Sequence, residues 1–446
     1  MRFAVMILLV ACGGSNGGGG DDVHPGDGGG VDPDAPPPGT PLDQRITVSV
    51  IATPAGVMGG DSNWRIWGTG SLRVSPTFTV PFADCGTLVG YTTGTSTPNA
   101  RVARLDPTDN LVTTFDLGAF ELRGLAAEPD GHFAALLWDK VPMPPVLHVQ
   151  RFDATGAPSW SADLIDALAA PTDFGIGESR LEFGDGQYGA YFHVHGISGF
   201  ANGHEGDQLK WVAAGGAVTN GWSWGCSHSM SELLRFDAAN TKFLAACVTD
   251  CFPGTSGGNF PTDSIGGVYL ENSRKVTDVD GGCNGSVAGE LGGAAPSGSG
   301  WKLVFNAHQN PATHGQGSYS PATMNQDIGF ASIATDLTPS AVVWLTTTTG
   351  NEANSTIARW HPAGDEAEQY VVGWADGSTH KLAPLSPAGE LLTPAIDVTA
   401  AWGERDDPFR EHGNGDIVWS SFDSAGATSF SFARLHTGRT AQCTAL

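Results

Sequence analysis

The side chains best able to do chemistry are concentrated between residues 193 and 314. His193-Val194-His195 closes an aromatic, apolar run. In an extended strand, residues two apart share a face, so both imidazoles point the same way. Gly203-His204-Glu205-Gly206-Asp207 follows, then Trp222-Ser223-Trp224-Gly225-Cys226-Ser227-His228-Ser229, then Asp250, Asp263 and Asn306-Ala307-His308-Gln309. Imidazole and carboxylate ligands suit zinc, manganese or iron, and carboxylate clusters also take calcium. One expectation is therefore a divalent metal on His193, His195, His204, Glu205, His228 and His308. It would keep an open coordination position for a hydrolase or lyase acting on an extracellular polymer, with one carboxylate as general base. The plainer reading is that the His-x-His pair is exposed or satisfied in the core, and that the Gly-His-Glu-Gly-Asp stretch is a polar loop.

Other motifs carry less. Arg405-Asp406-Asp407 lies near Trp402 and has the groups to grip a carboxylate or a sugar, as do Trp224 and Asp250, although an exposed ion pair is the plainer reading of the Arg-Asp-Asp stretch. Cys226 and His228 are close in sequence, but thiol catalysis needs a lowered thiol pKa and spatial placement. Asp278-Val279-Asp280-Gly281-Gly282 departs from the EF-hand pattern because its glycine comes early and its twelfth position is Gly289. Gly254-Thr255-Ser256-Gly257-Gly258 resembles the serine segment of chymotrypsin-like proteases, without that family's histidine motif upstream, and is read as a Gly/Ser loop.

The elements that would position these groups recur along the chain. Strand-like runs begin at Leu88, Phe133, Tyr188, Phe243, Trp301, Tyr370 and Ile417, spaced by 45, 55, 55, 58, 69 and 47 residues. Such intervals match a four-stranded propeller blade of about 40 to 50 residues with loop insertions. Arg151-Phe152-Asp153-Ala154-Thr155-Gly156, Arg235-Phe236-Asp237 and Leu385-Ser386-Pro387-Ala388-Gly389 read as strand followed by tight turn. Aromatic and β-branched runs, 62 glycines and no amphipathic helix beyond a hint at residues 162–168 indicate an all-β chain. The expected fold is a single seven-bladed β-propeller, with six or eight blades as neighbouring counts. Asp139, His193, Asp250, His308, Asp376 and Asp423 would then occupy similar positions at the ends of equivalent strands and be gathered around one end of the channel. The tail at residues 428–435 would close the ring with a strand near 46–50 or 72–90.

At the start of the chain, Arg2 precedes an apolar run over residues 3–10, and Leu9-Val10-Ala11-Cys12 is followed by Gly13. This run is shorter than the about 20 residues of a spanning helix and fits a signal segment. The Leu-Val-Ala-Cys match resembles the lipobox of bacterial lipoproteins. That resemblance implies a signal peptide over residues 1–11, lipid on Cys12 and a membrane-anchored protein of the cell envelope. Gly13, where inner-membrane retention would call for aspartate, implies an outer-membrane address. Residues 12–42 are Gly-, Asp- and Pro-rich with little to bury, as expected of a flexible tether. The propeller is expected over 43–446.

Composition limits the partners. The formal charge is −25, which excludes nucleic acid and leaves the acyl chains as the membrane contact. With Cys12 lipidated, Cys85, Cys226, Cys247, Cys251, Cys283 and Cys443 remain, an even number that suggests disulfides in an exported protein. A Cys85–Cys443 bridge would clip the ring. No complete catalytic motif is present, so the leading expectation is a binding or interaction module for a protein, peptide or glycan, with the metal-dependent enzyme as the alternative.

Overall fold

The computed structural model describes residues 39–59, 76–94, 97–141, 145–164, 175–195, 206–222, 226, 231–249, 266–271, 274–281, 287–311, 325–365, 367–403 and 407–440. Among these, the only helical segment is a 3-10 turn at Leu42–Arg45. Among the described residues no helix is long and apolar enough to cross a membrane. The signal segment, Cys12 and nearly all of the tether lie outside the described residues.

β1 (Ile46–Ala52) comes first in the chain. Blade one follows with β2 (Phe78–Pro81), β3 (Thr87–Thr93), β4 (Asn99–Leu105) and β5 (Leu111–Gly118), and blade two with β6 (Glu121–Ala127), β7 (Phe133–Asp139), β8 (Val146–Phe152) and β9 (Pro158–Asp163). Blade three holds β10 (Gly175–Gly184), β11 (Gln187–His195), β12 (Gly206–Ala213) and β13 (Val218–Trp222). Blade four holds β14 (Ser231–Asp237), β15 (Lys242–Thr249), β16 (Gly266–Leu270) and β17 (Arg274–Gly281). Blade five holds β18 (Val287–Ser297), β19 (Gly300–Ala307), β20 (Asp327–Ala334) and β21 (Val343–Trp344). Blade six holds β22 (Glu352–Trp360), β23 (Gln369–Asp376), β24 (Thr379–Leu385) and β25 (Ile396–Val398), and the last blade begins with β26 (Arg410–Glu411), β27 (Ile417–Ser421) and β28 (Ser429–Leu435).

Hydrogen bonding groups these strands into five sheets of four and one of eight. The eight-stranded sheet is blades four and five, joined only by the pairs Asp280↔Ala288 and Gly281↔Val287 between β17 and β18. The first strands of successive blades touch one another in a closed circuit, from β2 through β26 and back to β2. The molecule is therefore a seven-bladed propeller whose first strands surround the axis. Its ring is closed by β1, which pairs with β28 from Ile46↔Leu435 to Ala52↔Ser429. Of the two closures expected for the tail, the one near residues 46–50 is the one found.

All seven runs read from the sequence fall on the second strand of a blade. These strands are flanked by strands on both edges and covered on both faces: β3, β19 and β27 are buried along their whole length. A near-continuous apolar run is what such a position demands. The hint of helix at residues 162–168 is corrected at Ala162 and Asp163, which belong to β9; the remainder lies mostly outside the described residues. The Asp278-Val279-Asp280 stretch is the end of β17. Where β18 meets β22 the backbones approach so closely that position 292 has no room for a side chain: a Cβ on Gly292 would lie 2.1 Å from Ser355 Oγ.

Candidate functional site

Because the strands of a blade are antiparallel, the start of the first, the end of the second and the start of the third lie at the same end of the ring, called here the upper end. Asp139, His193, His308, Asp376 and Asp423 all occur at or next to the upper ends of second strands; Asp250 follows β15 outside the described residues. The pseudosymmetry brings them to one end of the molecule but not to one point. Asp139 accepts from Val141 N at 3.0 Å. His308 Nδ1 lies 3.0 Å from Asp280 Oδ2. Asp376 sits 4.0 Å from Lys381 Nζ, and Asp423 is exposed.

His193 turns into a buried cluster at the seam of blades three and four. Its Nδ1 lies 3.3 Å from Asp207 Oδ1, and Tyr191 donates its hydroxyl to Asp207 Oδ2 at 2.6 Å. Glu232, at the start of β14, brings Oε1 to 3.9 Å from the same imidazole nitrogen. Asp207, Glu232, Tyr191 and His193 are all fully buried. Burial pushes the Glu232 carboxyl well above its ordinary range, and the neighbouring Asp207 and Glu178 add to the shift while Arg180 opposes it. Asp207 was read as part of a polar loop; it is instead a buried residue at the start of β12. The Cys226 and Cys247 sulfurs beside it are joined in a disulfide. Cys226 is therefore not a thiol nucleophile, and the sulfurs offer no thiolate to a metal. Cys85 is also disulfide-bonded, while Cys251, Cys283 and Cys443 lie outside the described residues.

His193, Asp207 and Glu232 thus form a buried group able to hold a metal ion. Of the six expected ligands only His193 belongs to it; His308 is engaged separately with Asp280 in another blade interface. His204, Glu205 and His228, together with Trp224, Asp250, Arg405 and Asp406, lie outside the described residues, as does the side chain of His195. Nothing in the local spacing marks Glu232, because its neighbours come from the adjacent blade.

A second constellation crosses the channel itself. Asp407, expected beside Arg405 and Asp406 as part of an exposed ion pair, is buried: it bonds Arg235 of β14, and its backbone N donates to Gly292 O of β18. Arg235 also donates to Phe409 O at 2.9 Å. Arg410 reaches Glu182 Oε2 on β10 at 2.7 Å and Asp407 Oδ2 at 3.4 Å. Glu182 and Asp407 are each pushed up to about 7 by burial, against the pull of the Arg235 charge. The signal was present in Glu178-Ser179-Arg180-Leu181-Glu182, a period-two row of charges in a channel-lining strand.

These ion pairs divide the channel. Above them is a cavity of about 290 Å³, lined among others by Phe78, Thr79, Asn354, Trp402, Ser420 and Asp423. Below is one of about 370 Å³, lined among others by Arg235, Arg359, Glu411 and His412. Glu182 and Arg410 border both. The wall also repeats a short ion-pair unit that sequence reading missed: Glu121-Leu122-Arg123 on β6 and Glu178-Ser179-Arg180 on β10 place Glu and Arg within 2.5 and 2.9 Å.

No family model and no curated protein matches the chain. Among solved structures, an α-L-arabinanase from Penicillium chrysogenum complexed with arabinobiose is 11% identical, with a TM-score of 0.46 over 87% of this chain and 98% of the other. The polysaccharide lyase Uly1 is 7% identical, with a TM-score of 0.47 over 87% and 97%. The β-propeller domain of the Trilobed protease from Pyrococcus furiosus is 9% identical, with a TM-score of 0.40 over 81% and 97%. Likenesses this distant assign no activity to this chain.

Proposed function

We propose that this protein is a binding module held at the cell envelope by lipid on Cys12, and that its ligand, a glycan chain end, sits in the upper channel cavity. The observation that carries the reading is the blocked channel: with Asp407 bonded to Arg235 and Arg410 to Glu182 across the axis, the upper mouth is a cup with a charged floor. Its lining combines hydroxyls from Thr79, Ser420 and Ser421, an amide from Asn354, carboxylates and a guanidinium, with the rings of Phe78 and Trp402 beside them. A few directed polar groups among aromatic surface are what a pocket needs to fix a polyhydroxylated ring. An outer-membrane address follows the same proposal, on the strength of Gly13.

Glycan-array screening of the purified protein, followed by calorimetry on the best binder, tests the site. Asp423→Asn and Asn354→Gly should each weaken binding about tenfold, equivalent to about 1.4 kcal/mol. Affinity unchanged in both variants, or an array without binders, would remove the cup from consideration. The anchor is tested separately, since Cys12→Ser should move the protein from the membrane pellet to the soluble fraction.

A further inference from the structure

We propose that His193, Asp207 and Glu232 form a site for one divalent transition-metal ion, of the zinc or manganese class, that staples blade three to blade four. His193 and Asp207 come from β11 and β12, and Glu232 comes from β14 across the seam. The imidazole Nδ1 stands 3.3 Å from Asp207 Oδ1 and 3.9 Å from Glu232 Oε1. A tetrahedral zinc with bonds of about 2.0 to 2.1 Å holds its ligands about 3.3 to 3.4 Å apart; the imidazole already stands at that spacing from Asp207 and about half an ångström beyond it from Glu232, and one ligand atom from each residue lies within 4.8 Å of the others.

Two further observations point the same way. Both oxygens of Glu232 are buried and neither meets hydrogen-bond geometry; Oε1 stands 3.9 Å from His193 Nδ1, and the carboxyl lies beside that of Asp207. Two buried carboxyl groups placed together must either share a proton or hold a cation between them. Asp207, for its part, is held as supported metal ligands are: Tyr191 binds Oδ2 and leaves Oδ1 toward the site. The nearby Arg180 charge is turned to Glu178, to which it donates at 2.9 Å. One imidazole and two carboxylates form a donor set for zinc or manganese. The Cys226–Cys247 disulfide adds no ligand.

The untagged full chain, stripped by chelator and desalted, is to be titrated with zinc chloride alone and with manganese chloride alone. One equivalent should bind and raise the melting temperature, as an ion that binds only the folded state must. Glu232→Gln, which keeps shape and removes charge, should weaken uptake at least a hundredfold, and His308→Ala, at the separate Asp280 pair, should leave it intact. X-ray absorption of the zinc-loaded wild type, which does not depend on any variant folding, should show nitrogen and oxygen neighbours with an imidazole signature. Sulfur ligation, uptake that survives Glu232→Gln, or no uptake at about 100 µM metal would each overturn the site.

Discussion

Arg410 Nη2 donates to Glu182 Oε2 at 2.7 Å across the propeller axis, joining residues 228 apart in sequence. Together with the Arg235–Asp407 pair, this contact ties blades three, four and seven through the middle of the ring. Propeller blades otherwise meet mainly their neighbours, so a cross-axis tie couples distant parts of the circle and also closes the channel.

Removing Arg235 should be expensive. Arg235→Met leaves Asp407 buried with only the longer Arg410 contact and the Arg180 charge to offset it, and breaking a buried pair by deleting one partner costs about 3 to 5 kcal/mol. Urea denaturation should show that loss at pH 8 and a smaller one at pH 5, where Asp407 takes up a proton and needs no cation. An equal loss at both pH values would show that Asp407 is not the group left unpaired.

Glu182 and Asp407 also set a pH gradient of stability. Both carboxyls are raised to about 7 in the folded state, above the about 4 of an unfolded chain. The folded state therefore holds protons that the unfolded state has released, and this contribution is fully present below pH 4 and lost as pH rises through 7. Asp407→Asn should flatten the decline in melting temperature between pH 5 and 8. A slope unchanged from the wild type would assign the gradient elsewhere.

His412 and Asp416 act in the opposite direction. Burial, reinforced by the Arg434 charge, pushes His412 down to about 3, so its contribution is complete above the ordinary histidine pKa and is lost as pH falls toward 3. Burial alone would raise Asp416, but bonds from His436 and Thr437 and the Arg434 charge hold it at about 2; its contribution is present above pH 4 and lost below. His412→Gln, which retains a partner for Thr87 Oγ1, should reduce acid sensitivity between pH 6 and 4. Melting curves across that window decide it.

How much could be read from the chain follows from where each strand sits. β7 and β23 are apolar along nearly their whole length because strands and blades enclose them, so their repeats stand out. The outer strands β5 and β9 are largely exposed and carry little pattern. His193 was legible as a residue type at a strand end. Its partners were not: Glu232 arrives from the next blade, 39 positions on, and only the angle between blades brings it near. Asp407 was hidden for a related reason, since it meets Arg235 in the channel, a partner 172 positions earlier.

Ring closure gives the last prediction. β1 is the fourth strand of the last blade, and its seven residues pair with β28 without a register break. Deleting residues 39–52 would leave β28 as an open edge and uncover Phe430 and Phe432, which are buried with Ile51, Val57 and Tyr91 between the last blade and the first. An unpaired edge beside exposed aromatic side chains is a template for association. The truncated chain should therefore sediment as aggregates, or melt in a broadened transition well below the full chain. If the lost strand is what matters, adding a peptide of residues 39–52 should restore a sharp transition by refilling the edge. A truncated chain that stays monomeric and melts like the full one would mean that the blades hold their circle without the closing strand, with the cross-axis Arg410–Glu182 tie as the bond that keeps it.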